Sequence, residues 1–202
     1  ALEEVLSEQR RSRIERKTSE TAIELELNLD GSGQAKVATG IGFFDHMLTA
    51  FARHGLFDLT VSCDGDLDVD AHHTVEDIGI CLGMALAEAV GDKAGLERFG
   101  YSYVPMDEAM ARSVVDLSGR SFLVLQAGFV DEMVGEFPVA MVQEFLRAVS
   151  DHGRINLHVD LLRSGNDHHG IEAIYKSVAR ALSAAVTRSD RVQGIPSTKG
   201  SL

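Results

Sequence analysis

The second half of this 202-residue chain repeats the pattern of the first. At an offset of 98 residues, His54-Gly55 falls on His152-Gly153. After the next loop the offset becomes 96, and His72-His73-x-x-Glu76 falls on His168-His169-x-x-Glu172. An internal repeat of this length means that each half is one supersecondary unit, which buries its apolar face against the other.

Each half is predicted to fold as strands, helix, strand and helix. Alternating apolar residues predict strands at 10–17, 20–29, 34–39 and 56–63, and in the second half at 101–106, 110–117, 121–127 and 154–162. Helical spacing predicts helices at 43–53, 73–90, 138–151 and 169–187. Asp30-Gly31-Ser32-Gly33 is predicted to be a hairpin turn, with 34–39 as its return strand. Gly55 and Gly153 are predicted to end helices in the left-handed conformation.

The pattern predicts an α+β fold with pseudo-twofold symmetry. Each helix carries one apolar stripe, so each half should form a small mixed sheet with its helices on one face. The two halves, about 10–95 and 100–188, then bury their helices against one another in a single domain spanning 1–202. The tail, 189–202, is rich in turn-forming residues and lacks periodicity.

Composition excludes several classes of protein. The net charge of −12 argues against non-specific binding to nucleic acid. No stretch approaches the roughly 20 apolar residues of a membrane-spanning helix, and the charged N-terminus, ALEEVLSEQRRSR, does not resemble a signal peptide. The two cysteines, Cys63 and Cys81, provide no disulfide framework. A cytoplasmic location is therefore expected.

The duplicated His-His-x-x-Glu runs predict a site for two metal ions. Residues four apart share one face of a helix, whereas adjacent residues project about 100° apart. The second histidine of each run should therefore serve a different ion from the first histidine and the glutamate. The simplest arrangement is swapped, with one ion held by His72, Glu76 and His169 and the other by His168, Glu172 and His73. The runs could meet within one chain or across a subunit contact.

The repeat also suggests a fourth ligand for each ion. At the 98-residue offset His46 falls on Glu144, and both lie on the first helix of their half. Nitrogen and oxygen ligands without thiolates favour Mn²⁺, with Fe²⁺ or Zn²⁺ as alternatives. His54 and His152 are interpreted as helix-ending residues, and His158 as a strand residue without chemistry.

Several motifs together resemble one family over nearly the whole chain, from about Arg13 to Leu202. They are FFDHML, DAHHTVEDIGICLG, DLSGR, NDHHGIEAIYKSVARAL and PSTKG, and they are similar to those of imidazoleglycerol-phosphate dehydratase, an enzyme of histidine biosynthesis. The resemblance implies a ribosomal protein S5 domain 2-like fold and the loss of water from imidazole glycerol phosphate. It also implies two Mn²⁺ per site, and trimers that assemble into an octahedral 24-mer with sites between subunits. No residues are available for the phosphatase domain that some relatives carry, so a monofunctional enzyme is expected.

The resemblance also assigns roles to particular residues. It implies one ion held by His46, His73, His168 and Glu172, and a second held by His72, Glu76, Glu144 and His169. Glu144 stands where some relatives carry histidine. Glu20 resembles the family's acid/base glutamate, with Glu172 or a neighbouring ligand such as Glu76 as competing candidates. The substrate would contact Glu20, His46, His72, Glu76 and His168, and its phosphate would contact Arg98, Arg120, Lys176, Ser197 and Lys199.

Two other functions remain open from the residues. Asp68-Val69-Asp70 superficially resembles an aspartyl-phosphate motif, and two-metal sites often cleave phosphoesters, so a phosphatase is one alternative. However, Asp68 lies in an acidic loop rather than after an apolar strand. The other alternative is a metal-dependent assembly protein, in which the histidines only join subunits.

Overall fold

The protein is described by a computed structural model over residues 10–202. Residues 1–9, which supply most of the charged N-terminal segment, lie outside the described residues. Within the described part, no helix combines the length and apolarity needed to cross a membrane.

The first half contains four strands and two helices. Their bounds are β1 Arg11–Lys17, β2 Thr21–Asn28, β3 Ala35–Ala38, α1 Gly42–Gly55, β4 Asp58–Gly65 and α2 His72–Val90. The strands form one sheet in the order β1-β2-β4-β3. Alternation of buried and exposed residues along β2 leaves one face for the helices and one for solvent.

The second half repeats this order with one insertion. Its elements are β5 Phe99–Met106, β6 Ala109–Asp116, β7 Phe122–Gln126, β8 Met133–Val134, β9 Phe137–Pro138, α3 Met141–Gly153, β10 Asn156–Arg163 and α4 Asp167–Ala185. The second sheet runs β5-β6-β10-β7, so its strand order matches that of the first sheet. The predicted duplicated α+β unit is confirmed. The short β8–β9 hairpin was not predicted, because two-residue strands have no measurable periodicity.

The predicted hairpin between residues 20–29 and 34–39 is wrong. β4 lies between β2 and β3, antiparallel to β2 and parallel to β3. The turn is instead held to the start of β4, where the Asp58 carboxylate accepts hydrogen bonds from the backbone N–H groups of Ser32 and Gln34 at 2.9 and 3.0 Å. A turn-forming sequence between two strands therefore did not fix which strands pair.

The predicted left-handed glycines are also wrong. Gly55 and Gly153 are the last residues of α1 and α3, and the residues that follow, Leu56 and Arg154, adopt φ values of 58° and 52°. Gly55 is needed for space rather than for φ, since a Cβ there would lie 2.6 Å from the Phe57 ring. The chain thus ends each helix one residue later than the glycine signal indicates.

Helices from the two halves pack against each other between the sheets. α2 packs against α3 closely because two glycines face that helix: a Cβ on Gly79 would lie 2.8 Å from the Cβ of Ala148, and one on Gly83 would lie 2.9 Å from the Val149 carbonyl oxygen. α1 packs against α4. This second contact brings a histidine of α1 to the start of α4.

Candidate metal centre and active site

Three predicted ligands meet at the start of α4. His46 of α1 and His168 of α4 both place Nε2 3.3 Å from Oε2 of Glu172. The glutamate side chain is only 8% exposed, whereas the two imidazoles are about half exposed. The cluster therefore has a fixed carboxylate at its base and two histidines open to the surface.

The Glu172 carboxylate is held in its charged form. Burial raises the pKa of this carboxyl, but the hydrogen bond and charge of Lys176 and the proximity of His46 outweigh that effect and leave the pKa lowered. The Lys176 ammonium lies 2.6 Å from Oε1 of Glu172, one helical turn away. One carboxylate oxygen is thus bound to lysine and the other faces the histidines.

The first run is arranged more loosely. His72 places Nε2 3.5 Å from Oε2 of Glu76, and both side chains are more than 40% exposed. His72 and Glu76 share one face of α2, as helical spacing predicts. They form a two-residue pair rather than a cluster.

The second histidine of each run is bound through Nδ1 to a carboxylate. His73 Nδ1 lies 2.9 Å from Asp66 Oδ2, and His169 Nδ1 lies 2.9 Å from Glu108 Oε2. These hydrogen bonds raise the pKa of both histidines. An ionised carboxylate only accepts hydrogen bonds, so Nδ1 donates in each pair. Nε2 of neither histidine is hydrogen-bonded to residues 10–202, and that of His169 lies 3.9 Å from Asp107 Oδ2.

The swapped ligand sets are not assembled within one chain. Among residues 10–202, the groups of three or more donors close enough to share an ion are His46, His168 and Glu172, and Asp107, Glu108 and His169. His73 belongs to neither group. Glu144, in the first turn of α3, lines a separate cleft of about 360 Å³ with Leu125, Phe129 and Gln143. The metal roles of His72, His73, Glu76, Glu144 and His169 stay predictions.

Glu20 lies beside the first run. It is exposed and immediately precedes β2, and its carbonyl oxygen accepts a hydrogen bond from the Asp66 N–H at 3.0 Å. Its charge helps to raise the pKa of His73, after the stronger effect of Asp66. Glu20 therefore faces the His73 side of the molecule, and its carboxylate forms no hydrogen bond or ion pair with residues 10–202.

Four of the five predicted phosphate-binding residues share one cleft. Its volume is about 280 Å³, and it is lined by Arg98, Ser118, Gly119, Arg120, Ser197, Thr198, Lys199, Ser201 and Leu202. Arg98 forms an ion pair with Asp116 at 2.7 Å and donates to the Pro196 carbonyl oxygen at 2.8 Å, which ties the tail to the sheet. The structure places Lys176 elsewhere, at Glu172.

The donors present fit a divalent metal ion. His46, His168 and Glu172 supply two imidazole nitrogens and a carboxylate oxygen, the ligand types that suit Mn²⁺, Fe²⁺ or Zn²⁺. Burial raises the pKa of Cys63 and of Cys81 to about 11, so neither is a ready thiolate ligand. Half-exposed histidines on a fixed carboxylate leave room for further ligands from outside the chain.

Asp66 and Glu108 were missed by sequence reasoning. Asp66 is one of four aspartates in the acidic loop 64–71, and Glu108 lies in a tight turn where acidic residues are common. The internal repeat could have drawn attention to Glu108. Strands β2 and β6 have equal length, and Glu20 and Glu108 are the residues immediately before them.

Comparison with known proteins identifies the family. The sequence model of imidazoleglycerol-phosphate dehydratase (IGPD) matches residues 39–182. Proteins of this name from Vesicomyosocius okutanii and Thermoanaerobacter sp. are 54% and 56% identical to the chain, and the alignments cover 94% and 96% of it and 99% and 100% of the relatives.

Solved structures agree with the sequence matches. The crystal structure of imidazoleglycerol-phosphate dehydratase from Staphylococcus aureus has a TM-score of 0.81 and 41% identity, covering 89% of this chain and 99% of that one. IGPD from Pyrococcus furiosus in complex with (S)-C348 has a TM-score of 0.81 and 34% identity, covering 94% and 100%. The duplicated fold and the matching sequence together show that this chain belongs to the imidazoleglycerol-phosphate dehydratase family of hydro-lyases.

Proposed function

We propose that the protein eliminates water from D-erythro-imidazole glycerol phosphate to give imidazole acetol phosphate, with two Mn²⁺ per site. The observation that carries this proposal is the meeting of His46, His168 and Glu172 at one carboxylate oxygen, in a chain of this family. A bound divalent ion would supply Lewis acidity that favours the deprotonated form of the substrate's imidazole ring.

The chain's own residues would hold the ions and move the proton. His46, His168 and Glu172 would bind one ion together with His73, and His72, Glu76, Glu144 and His169 would bind the other. Glu20 would take the proton from the second carbon of the glycerol chain, as the hydroxyl on the neighbouring carbon leaves as water. Its exposed carboxylate, next to His73, supports this role.

The substrate phosphate would bind in the tail cleft. Arg120, Lys199 and Ser197 offer charged and hydroxyl donors there, and Arg98 holds the tail in place. Lys176 would act at the metal end instead, because it is already bound to Glu172.

The site would be completed by a second copy of the chain. In one chain His73 and His169 are bound to Asp66 and Glu108. Neither joins the cluster of His46, His168 and Glu172. A heterologous contact that brings His73 of one copy to His168 of another forms a symmetric ring when its rotation closes, and trimers within a 24-mer would be one such arrangement. The cytoplasmic location expected from the sequence stays a prediction.

The proposal is tested by incubating the Mn²⁺-loaded protein with imidazole glycerol phosphate. We expect a product lighter by one water, detected by mass spectrometry, and no product after chelation. Absence of imidazole acetol phosphate with fully loaded protein would contradict the proposal. Release of inorganic phosphate in the same reaction would favour the phosphatase alternative.

A matched variant separates catalysis from a purely structural role of the metal. Glu20→Gln leaves every proposed ligand in place, so Mn²⁺ binding and assembly should persist while turnover falls by about 10²–10⁴-fold. If Glu20→Gln keeps full turnover, Glu20 is not the acid/base group.

A further inference from the structure

The two hairpin glutamates occupy equivalent places in the two halves but have different partners. β2 and β6 are both eight residues long, and their last residues, Asn28 and Asp116, pair with the first residues of β4 and β10. Glu20 and Glu108 are therefore positional counterparts, each one residue before its strand. Glu108 is bound to His169, whereas Glu20 is not hydrogen-bonded to His73.

The loops that precede α2 and α4 explain this difference. The loop after β4 contains Asp66, whose N–H is bound to the Glu20 carbonyl oxygen and whose Oδ2 is bound to His73. The loop after β10 is Ser164-Gly165-Asn166 and carries no carboxylate. There the backbone N–H of Gly165 interacts with Glu108, and a Cβ on this glycine would lie 3.2 Å from Cγ of Glu108.

Each half thus supplies one carboxylate to Nδ1 of its second histidine, but from a different source. A carboxylate bound to Nδ1–H fixes the neutral imidazole in the tautomer that presents Nε2 to a metal. The second oxygen of Asp66 is buried and has no hydrogen-bond partner in the described chain. The Asp66 side chain is therefore held at His73 even though one of its oxygens is unsatisfied.

We infer that Asp66 and Glu108 are positioning residues, which hold His73 and His169 with Nε2 directed at metal, and that Asp66 thereby leaves Glu20 free for proton transfer. The inference rests on the proposed function, since it takes both histidines as metal ligands and Glu20 as the acid/base group. The inference gives Glu20 and Glu108, which occupy equivalent positions in the fold, different roles: proton transfer for Glu20 and the positioning of His169 for Glu108.

The test reads the histidine tautomers directly. Metal-free protein with ¹⁵N-labelled histidine is studied by long-range ¹H–¹⁵N NMR, at a pH where the imidazoles are neutral. In wild type, His73 and His169 should both be protonated at Nδ1. Glu108→Ala should change the tautomer populations of His169 alone, and Asp66→Ala those of His73 alone. Unchanged tautomers in both variants would overturn the inference.

Manganese binding, measured by calorimetry, provides the second readout. Glu108→Ala and Asp66→Ala should each weaken Mn²⁺ binding by about ten- to a hundredfold. Glu108→Gln should weaken it less than about threefold, because the amide oxygen still accepts from Nδ1–H. Equal losses in Glu108→Gln and Glu108→Ala would instead make Glu108 a direct ligand and overturn the inference.

Glu20→Ala is the matched control, because Glu20 is the counterpart of Glu108. It should leave Mn²⁺ affinity within about twofold of wild type and both tautomers unchanged, since neither histidine depends on it. A loss of affinity as large as that of Glu108→Ala would contradict the division of tasks. If wild type binds Mn²⁺ but does not dehydrate the substrate, the proposed function fails while the tautomer and affinity results still decide this inference.

Discussion

The two His-His-x-x-Glu runs have the same letters but different surroundings. Glu172, in the second run, is 8% exposed and bound to Lys176 and near His46 and His168. Glu76, in the first run, is 43% exposed, and among residues 10–202 its ion-pair partner is His72. The motif therefore specifies the donor atoms, whereas the neighbouring residues decide which carboxylate is held in place before a metal binds.

Two substitutions between the halves account for the contrast. At the 96-residue offset Lys176 corresponds to Ile80, and at the 98-residue offset His46 corresponds to Glu144. A carboxylate can be buried when cations and hydrogen-bond donors surround it, and it stays in solvent when they do not. The first run lacks the lysine, and its neighbouring helix carries an acid in place of a histidine, so an ion would have to supply the positive charge.

The largest effect should come from neutralising the buried glutamate. Glu172→Gln removes the charge beside Lys176 and should lower the free energy of unfolding of the metal-free protein by about 2 kcal/mol. Glu76→Gln, its counterpart in the first run, should change it by less than about 0.5 kcal/mol because the pair is exposed. Urea denaturation measures both, and equal effects would mean that the two runs are equally ordered.

The helix contact beneath the first run gives a second, smaller effect. Gly79 faces α3 where its counterpart at the 96-residue offset is Tyr175, which is buried and stacks on Phe145 at 5.2 Å. Gly79→Ala should therefore lower the free energy of unfolding by about 1–2 kcal/mol, because the added methyl group overpacks the contact with α3. The same urea denaturation measures this change. Gly42→Ala, where a Cβ would contact nothing within 4 Å, is the control and should be neutral. A stable Gly79→Ala protein would show that α2 and α3 can separate without cost.

The sequence predicted the elements and the donor atoms better than their partners. Within residues 10–202, periodicity located the four helices and eight of the ten strands, because apolar spacing depends on local burial. The parallel pairing of β3 with β4 was missed, since it depends on contacts distant in sequence. The helical spacing predicted the His72–Glu76 and His168–Glu172 pairs, but Glu108 reaches His169 from 61 residues away, a contact that no local pattern records.

The pH dependence of stability should report the buried glutamate. The pKa of Glu172 is lowered below its usual 4.5 in the folded protein, so its stabilising effect is present above that pH and is lost as pH falls through the folded-state value. The difference in unfolding free energy between wild type and Glu172→Gln should therefore narrow on acidification. A difference that widens at low pH would contradict the lowered pKa.

The smallest effect concerns the second histidine of each run. In both runs this histidine is bound through Nδ1 to a carboxylate. Asp66 raises the pKa of His73, so the stabilising effect of this pair is complete below the usual 6.5 and is lost as pH rises through the folded-state value. Asp66→Asn should lower the pKa of His73 and leave that of His169 unchanged, as followed by NMR titration. A parallel change at His169 would show that the two histidines are coupled within one chain.

The central claim is that each run is half of a site and that a second copy completes it. His73→Ala and His168→Ala proteins, each expected to be inactive alone, are dissociated without metal, mixed in equal amounts and reassembled with Mn²⁺. At a contact between two chains, about one site in four receives both intact runs, so the mixture should regain up to about a quarter of wild-type dehydration activity. A mixture that stays as inactive as its parts, although it assembles, would show that each site is built from one chain.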